Sequence, residues 1–220
     1  MPDSADEAVG ELALNQIDGS GLMQPSTLSP REQQAMRDAF EQSVARLTVA
    51  DVPRHHLEFR KSGIGPNAFA LPGGTIVLTD ELYRRMDGDR DILVGVLGHE
   101  LGHLRHRHGM RMLVQATLIG TAAAAAWGDF STVLAAAPTL LGQSGYARDF
   151  ERDADADAIA LLRANGISPA VMVELFERLA AARAPRDAAA ADQRFDLGIA
   201  LASHPPDAER MRSFRAAAGL

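Results

Sequence analysis

The sequence predicts an α+β domain that is mainly helical and carries one small sheet. Three observations predict it. Ser29-Pro30-Arg31-Glu32 is a strong helix start, and Leu93, Val96, Leu97, Leu101 and Leu104 recur at helical spacing further on. Strand-like patterning is confined to the region between Leu57 and Thr79. No internal repeat interrupts this order.

The chain has 220 residues, 46% of them hydrophobic, enough for one domain with a sizeable core. A net charge of −7 and the lack of a basic stripe argue against a nucleic-acid surface. With no cysteine, disulfide scaffolds and thiolate metal sites are excluded, and the redox compartment stays open.

Residues 1–28 read as an N-terminal extension ahead of a domain over 29–220. Met1 to Gly10 is acidic and polar, unlike a secretory signal. The chain as given reads as soluble, or as membrane-associated or periplasmic if it is a piece of an anchored precursor. Ser29 as N-cap, Pro30 at the first position and Glu32 in a capping box open a helix to about Leu47. Leu57 and Phe59 alternate with polar neighbours in a half-buried strand. Asn67 to Leu71 and Thr75 to Thr79 form short strands around the turn Pro72-Gly73-Gly74. A helix follows from Asp91 through Leu104.

Leu113 to Trp127 and Phe130 to Leu141 are apolar runs, each shorter than the roughly 20 residues of a spanning helix. They predict a helical hairpin over 113–141, packed on the domain and able to touch a membrane or a partner. Tyr146 to Ala158 begins another helix, capped by Asn165-Gly166. Ser168-Pro169 opens the next, to about Arg183. Residues 184–197 are low in complexity and read as a mobile linker. Pro205-Pro206 precede a last helix ending near Ala218.

The chemistry centres on His99-Glu100-Leu101-Gly102-His103. Histidines four apart share one face of a helix and can bind one zinc ion, with Glu100 placed as general base beside it. A third protein ligand is needed, with the fourth position open. A continuous helix carries His106 roughly 10 Å from His99, too far for one ion. His106 and His108 therefore read as a basic, solvated helix end. The metzincin pattern fails, because His106 stands at its glycine position and Gly109 at its third histidine. Glu151 is the better candidate. It lies four residues before Asp155, on a face bordered by Phe150, Ala154, Ala158, Leu161 and Leu162. Asp149, Asp153 and Asp157 read as a solvated face.

Three blocks together resemble the HtpX and BepA group of gluzincin metalloproteases, which includes the CAAX prenyl endopeptidases and the small minigluzincins. They are Asn67 to Thr79 followed by His99 to His103, then Arg148 to Asp155, and then Ser203-His204-Pro205-Pro206 with Glu209-Arg210. The resemblance covers about residues 55 to 215 and is closest in build to the minigluzincins. It implies a zincin-like domain with an active-site helix, one zinc held by His99, His103 and Glu151, and Asp155 bonded to a ligand histidine. It implies an exposed edge strand at Asn67, Ala68, Phe69 and Ala70 that pairs with an extended protein or peptide substrate. His204 then has two open roles, stabilising the oxyanion or closing the zinc position, with Arg210 supporting either. The implied activity is zinc-dependent endopeptidase action on extended or unfolded segments, in envelope protein quality control. The alternative is a protease-fold chaperone or adaptor whose zinc site His204 closes.

Overall fold

The computed structural model describes residues 3–48, 52–115, 148–181 and 208–220. The linker at 184–197, most of the hairpin at 113–141, and His204 with Pro205 and Pro206 lie outside the described residues. The described chain is mainly helical around one mixed sheet, the α+β class expected.

The first 28 residues, read from sequence as an extension, contribute two elements. Helix α1 spans Asp3–Gly19, and strand β1 spans Met23–Pro25. Helix α2 (Pro30–Val44) starts at the expected capping box: Glu32 N–H donates to Ser29 Oγ, and Ser29 N–H donates to the Glu32 carboxylate at 2.7 Å. Strands β2 (His56–Ser62), β3 (Ala68–Ala70) and β4 (Thr75–Thr79) complete a sheet in the order β1-β2-β4-β3. β1 runs antiparallel to β2, β2 parallel to β4, and β3 antiparallel to β4. β1 and β3 are thus the two sheet edges among the described residues, and the edge at Asn67, Ala68, Phe69 and Ala70, expected to be exposed, is buried, because β3 packs against the core and α4. The β3–β4 turn has Gly73 at φ 85° and Gly74 at φ 110°. A Cβ on Gly73 would also lie 2.6 Å from Glu7 Cα, so this turn accepts α1 only because no side chain intervenes.

Helix α3 (Asp80–Arg85) leads to α4 (Arg90–Arg105), whose first turn is capped by the Asp89 side chain. Every residue of α4 from Ile92 to His103 is buried. A helix buried on all sides is ordinarily apolar. Here one face carries His99, Glu100 and His103, which need partners from elsewhere in the chain. α5 (Arg148–Ala164) packs along α4 and ends at Gly166, φ 69°, where Ile167 N–H donates to Leu162 O. α6 (Ala170–Ala181) and α7 (Ala208–Ala218) close the core. That core joins Phe40, Ile76, Leu78, Leu93, Leu97, Leu161, Leu162, Met172 and Phe214. Among the described residues, no helix is long and apolar enough to cross a membrane.

Candidate metal centre

α4 and α5 bring His99, His103 and Glu151 together, all three buried. His99 Nε2 lies 3.0 Å from His103 Nε2 and 3.4 Å from Glu151 Oε2, and His103 Nε2 lies 3.5 Å from Glu151 Oε1. A tetrahedral ion bonded at roughly 2.0–2.1 Å separates its ligand atoms by about 3.3 Å. The triangle therefore has the size such an ion requires.

The surrounding charge fits a dication as well. Two buried carboxylates, Glu151 and Asp155, converge on the buried guanidinium of Arg210, and Glu100 is buried as well. Burial would lower the His99 imidazole, but its bonds to Asp155 and Glu151 outweigh burial and raise it to about 9. A field that draws a proton to His99 draws a metal cation there too.

The Nδ1 atoms of both histidines are held. His99 Nδ1 lies 2.9 Å from Asp155 Oδ1, and His103 Nδ1 lies 2.9 Å from His108 Nδ1. Arg210, from α7, donates to Asp155 through Nε at 2.8 Å and Nη2 at 2.7 Å, and its Nη1 lies 2.8 Å from Glu151 Oε2. Its guanidinium also sits over the Phe176 ring at 5.1 Å. Burial would raise the Asp155 carboxyl, but the bonds to His99 and Arg210 hold it below the usual carboxylate range. Sequence reasoning assigned Arg210 to oxyanion or gate support. The structure sets it against the two carboxylates of α5.

His108 requires a correction. The sequence reading made it part of a solvated helix end, yet it is fully buried. α4 does not continue past Arg105. His106 caps it, Arg107 adopts φ 53°, and residues 108–115 are helical again. Arg107 is held in that turn by Asp6 of α1, at 2.6 and 2.9 Å. The break swings the His108 ring under His103 instead of letting it spiral away. Burial, with the charges of His106 and Arg111 nearby, lowers the His108 imidazole to about 4. His106 is half-buried and bonds Asp157 at 3.0 Å, while Asp153 is exposed as expected.

Glu100, 2% exposed, borders a cavity of about 50 Å³ shared with His99, Asn67 and Ala68. The other walls are mostly apolar: Leu82, Val96, Met172, Leu175, Phe176 and Leu179, with Arg210. Of the expected edge-strand residues, Ala68, Phe69 and Ala70 form β3. Asn67 closes the strand by exchanging bonds with Thr79: Asn67 N–H donates to Thr79 Oγ1, and Thr79 N–H donates to Asn67 O.

The family model described as peptidase family M48 matches residues 30–218. The chain is similar to metalloprotease LoiP of Escherichia coli (strain K12), with 31% identity over 156 residues, covering 68% of this chain and 57% of that protein. It is similar to metalloprotease YcaL of the same organism, with 30% identity over the same lengths. It is also similar to the beta-barrel assembly-enhancing protease of Yersinia pestis, with 27% identity over 188 residues, 79% of this chain and 37% of that protein. The chain thus spans little more than half the length of the first two and about a third of the last.

Proposed function

The chain belongs to peptidase family M48, and from that premise we propose that it is a zinc-dependent endopeptidase that cuts extended or unfolded protein segments. The observation that carries the reading is the ligand triangle of His99, His103 and Glu151, with Glu100 buried beside it. Zinc held by those three residues supplies Lewis acidity and lowers the pKa of water toward 7. Glu100 takes the proton from the attacking water and passes it to the leaving amine. Asp155 fixes the His99 tautomer through Nδ1. Arg210 keeps Asp155 and Glu151 in place and offsets their charge.

The substrate lies along β3. An edge strand recognises main chain, which favours extended segments over particular side chains. The neighbouring cavity, mostly apolar, supplies a place for one apolar side chain. The relatives named for β-barrel assembly support a role in envelope protein quality control.

The test is cleavage of an unfolded protein such as casein. The wild type should cut it, a chelator should stop cleavage, and added zinc should restore it. Glu100→Gln should keep about one zinc per chain and lose at least about 10²-fold in turnover. Glu151→Ala should lose the zinc. An active Glu100→Gln variant, or tight zinc binding without Glu151, would overturn the assignment.

A further inference from the structure

A second group of potential ligands stands next to the first. His106, His108 and Asp153 offer ligand atoms within 4.8 Å of one another. The contact of His108 with His103 decides what this group does. The two Nδ1 atoms are 2.9 Å apart, so one hydrogen lies between them. A neutral imidazole carries its hydrogen on one nitrogen and its lone pair on the other. If the shared hydrogen belongs to His103, then His103 Nε2 has a free lone pair facing His99 and Glu151. If it belongs to His108, the His103 hydrogen moves to Nε2. It then occupies the space between His99 Nε2, 3.0 Å away, and Glu151 Oε1, 3.5 Å away. Only the first arrangement can bind a metal.

We propose that His108 is the positioning residue of the metal centre: its Nδ1 accepts the Nδ1 hydrogen of His103 and so fixes the ligand tautomer, as Asp155 does for His99. The proposal rests on the reading that His99, His103 and Glu151 hold zinc. The fold supports it independently, because the His108 ring has no freedom to turn. It stacks on Phe150 at 4.1 Å and 9°, lies parallel to His106 at 5.3 Å and 16°, and is fully buried. As an acceptor at Nδ1, His108 carries its own hydrogen on Nε2, 3.7 Å from Asp153 Oδ2. The half-exposed Asp153 carboxylate then favours that tautomer.

A consequence follows for the second group. A metal on His108 Nε2 would need the lone pair there, which moves the hydrogen to Nδ1 and puts the His103 hydrogen on Nε2. With neutral rings, the two groups exclude each other. The His106, His108 and Asp153 cluster therefore serves the first site and does not hold a second ion.

The experiment measures zinc affinity by competition with a chromogenic chelator, for the wild type, His108→Phe and His108→Asn. Phenylalanine keeps the ring and its stacking but accepts no hydrogen bond. Asparagine places Oδ1 near the position of Nδ1 and does accept one. His108→Phe should bind zinc about 10–100-fold more weakly, the usual cost of losing such a partner. His108→Asn should retain most of the affinity. Nitrogen NMR of the zinc-loaded wild type should find the His108 hydrogen on Nε2, and metal analysis should find one zinc per chain at saturation. Wild-type affinity in His108→Phe, equal losses in both variants, a hydrogen on His108 Nδ1, or two zinc ions per chain would each overturn the proposal. If His108→Phe does not fold, the NMR tautomer and the asparagine variant decide it. Failure of the zinc reading itself would appear separately, as a wild type that binds no zinc or a Glu151→Ala variant that binds it normally.

Discussion

Gly102, inside the histidine motif, is a point of close approach between α4 and α5. A Cβ there would stand 2.8 Å from Ala154 Cα, 3.1 Å from Asp157 Cβ and 3.2 Å from Ala154 O. Two of the three are backbone atoms, so no side-chain rotation relieves the contact. Gly102→Ala must push α5 back until 2.8 Å becomes at least 3.4 Å, a shift of 0.6 Å. Ala154 sits between Glu151 and Asp155 on that helix, so both carboxylates move with it. Added to the 2.9 Å contact between Asp155 and His99 Nδ1, the same shift takes it beyond hydrogen-bond length. The effect on stability is small, because two terms oppose. Alanine is better than glycine inside a helix by about 1 kcal/mol, while overpacking costs about 1–3 kcal/mol. The apo protein should lose about 0–2 kcal/mol. Zinc affinity should fall about 10–100-fold, because a ligand and an outer partner are both displaced. Gly98→Ala is the control. Its Cβ would meet Leu161 Cδ2 at 2.7 Å, the far end of a side chain and not backbone, so the strain falls on the core and not on the spacing of Glu151 and Asp155, and zinc binding should change little. Chelator competition and calorimetry of the apo protein measure the two quantities. Gly102→Ala binding zinc as tightly as the wild type would refute the reasoning that this contact sets the spacing of the site.

Two further outcomes follow from buried charge. Arg210→Met keeps the bulk but leaves Asp155 and Glu151 without the guanidinium, and should cost about 3–5 kcal/mol in the apo protein, measured by denaturant unfolding. An unchanged midpoint would mean that Arg210 does not hold the carboxylates. Asp80 is fully buried and accepts from Ser26 Oγ, Thr27 N–H and Thr27 Oγ1 at 2.6, 2.6 and 2.8 Å. Burial would raise its carboxyl, but those bonds together outweigh burial and hold it below the usual range. A depressed folded-state pKa stabilises the fold above the ordinary carboxylate range, and the gain disappears as pH falls through the depressed value. Asp80→Asn should therefore cost about 1–3 kcal/mol near neutral pH, and the gap should close in acid. A gap that stays constant from neutral pH to pH ~3 would contradict the sign.

Much of the site is legible in the sequence because its geometry is local. Four-residue spacing on a helix puts His99 beside His103, and Glu151 beside Asp155, whatever the rest of the chain does. The Ser29 capping box and the Gly166 helix end are local for the same reason: their bonds close within six residues. The turn between β3 and β4 is local too, since Pro72-Gly73-Gly74 separates two short apolar runs.

What only tertiary structure decided depends on partners far apart in the chain. Periodicity extended α4 through His106 and His108, because nothing local announces a break at Arg107. The break is stabilised by Asp6, 101 residues earlier, in a segment with no strand or cap signal of its own. The resemblance implies that Arg210 supports His204, and only the packing of α7 against α5 sets it on Asp155, 55 residues away. Nothing local to Gly102 shows that Ala154 of α5 leaves no room for a side chain there. The sequence by itself determined which residues share a helix face, because that depends only on their spacing. The packing of α1, α5 and α7 around α4 determined which side chains meet those residues, because hydrogen bonds and ion pairs depend on distance in space.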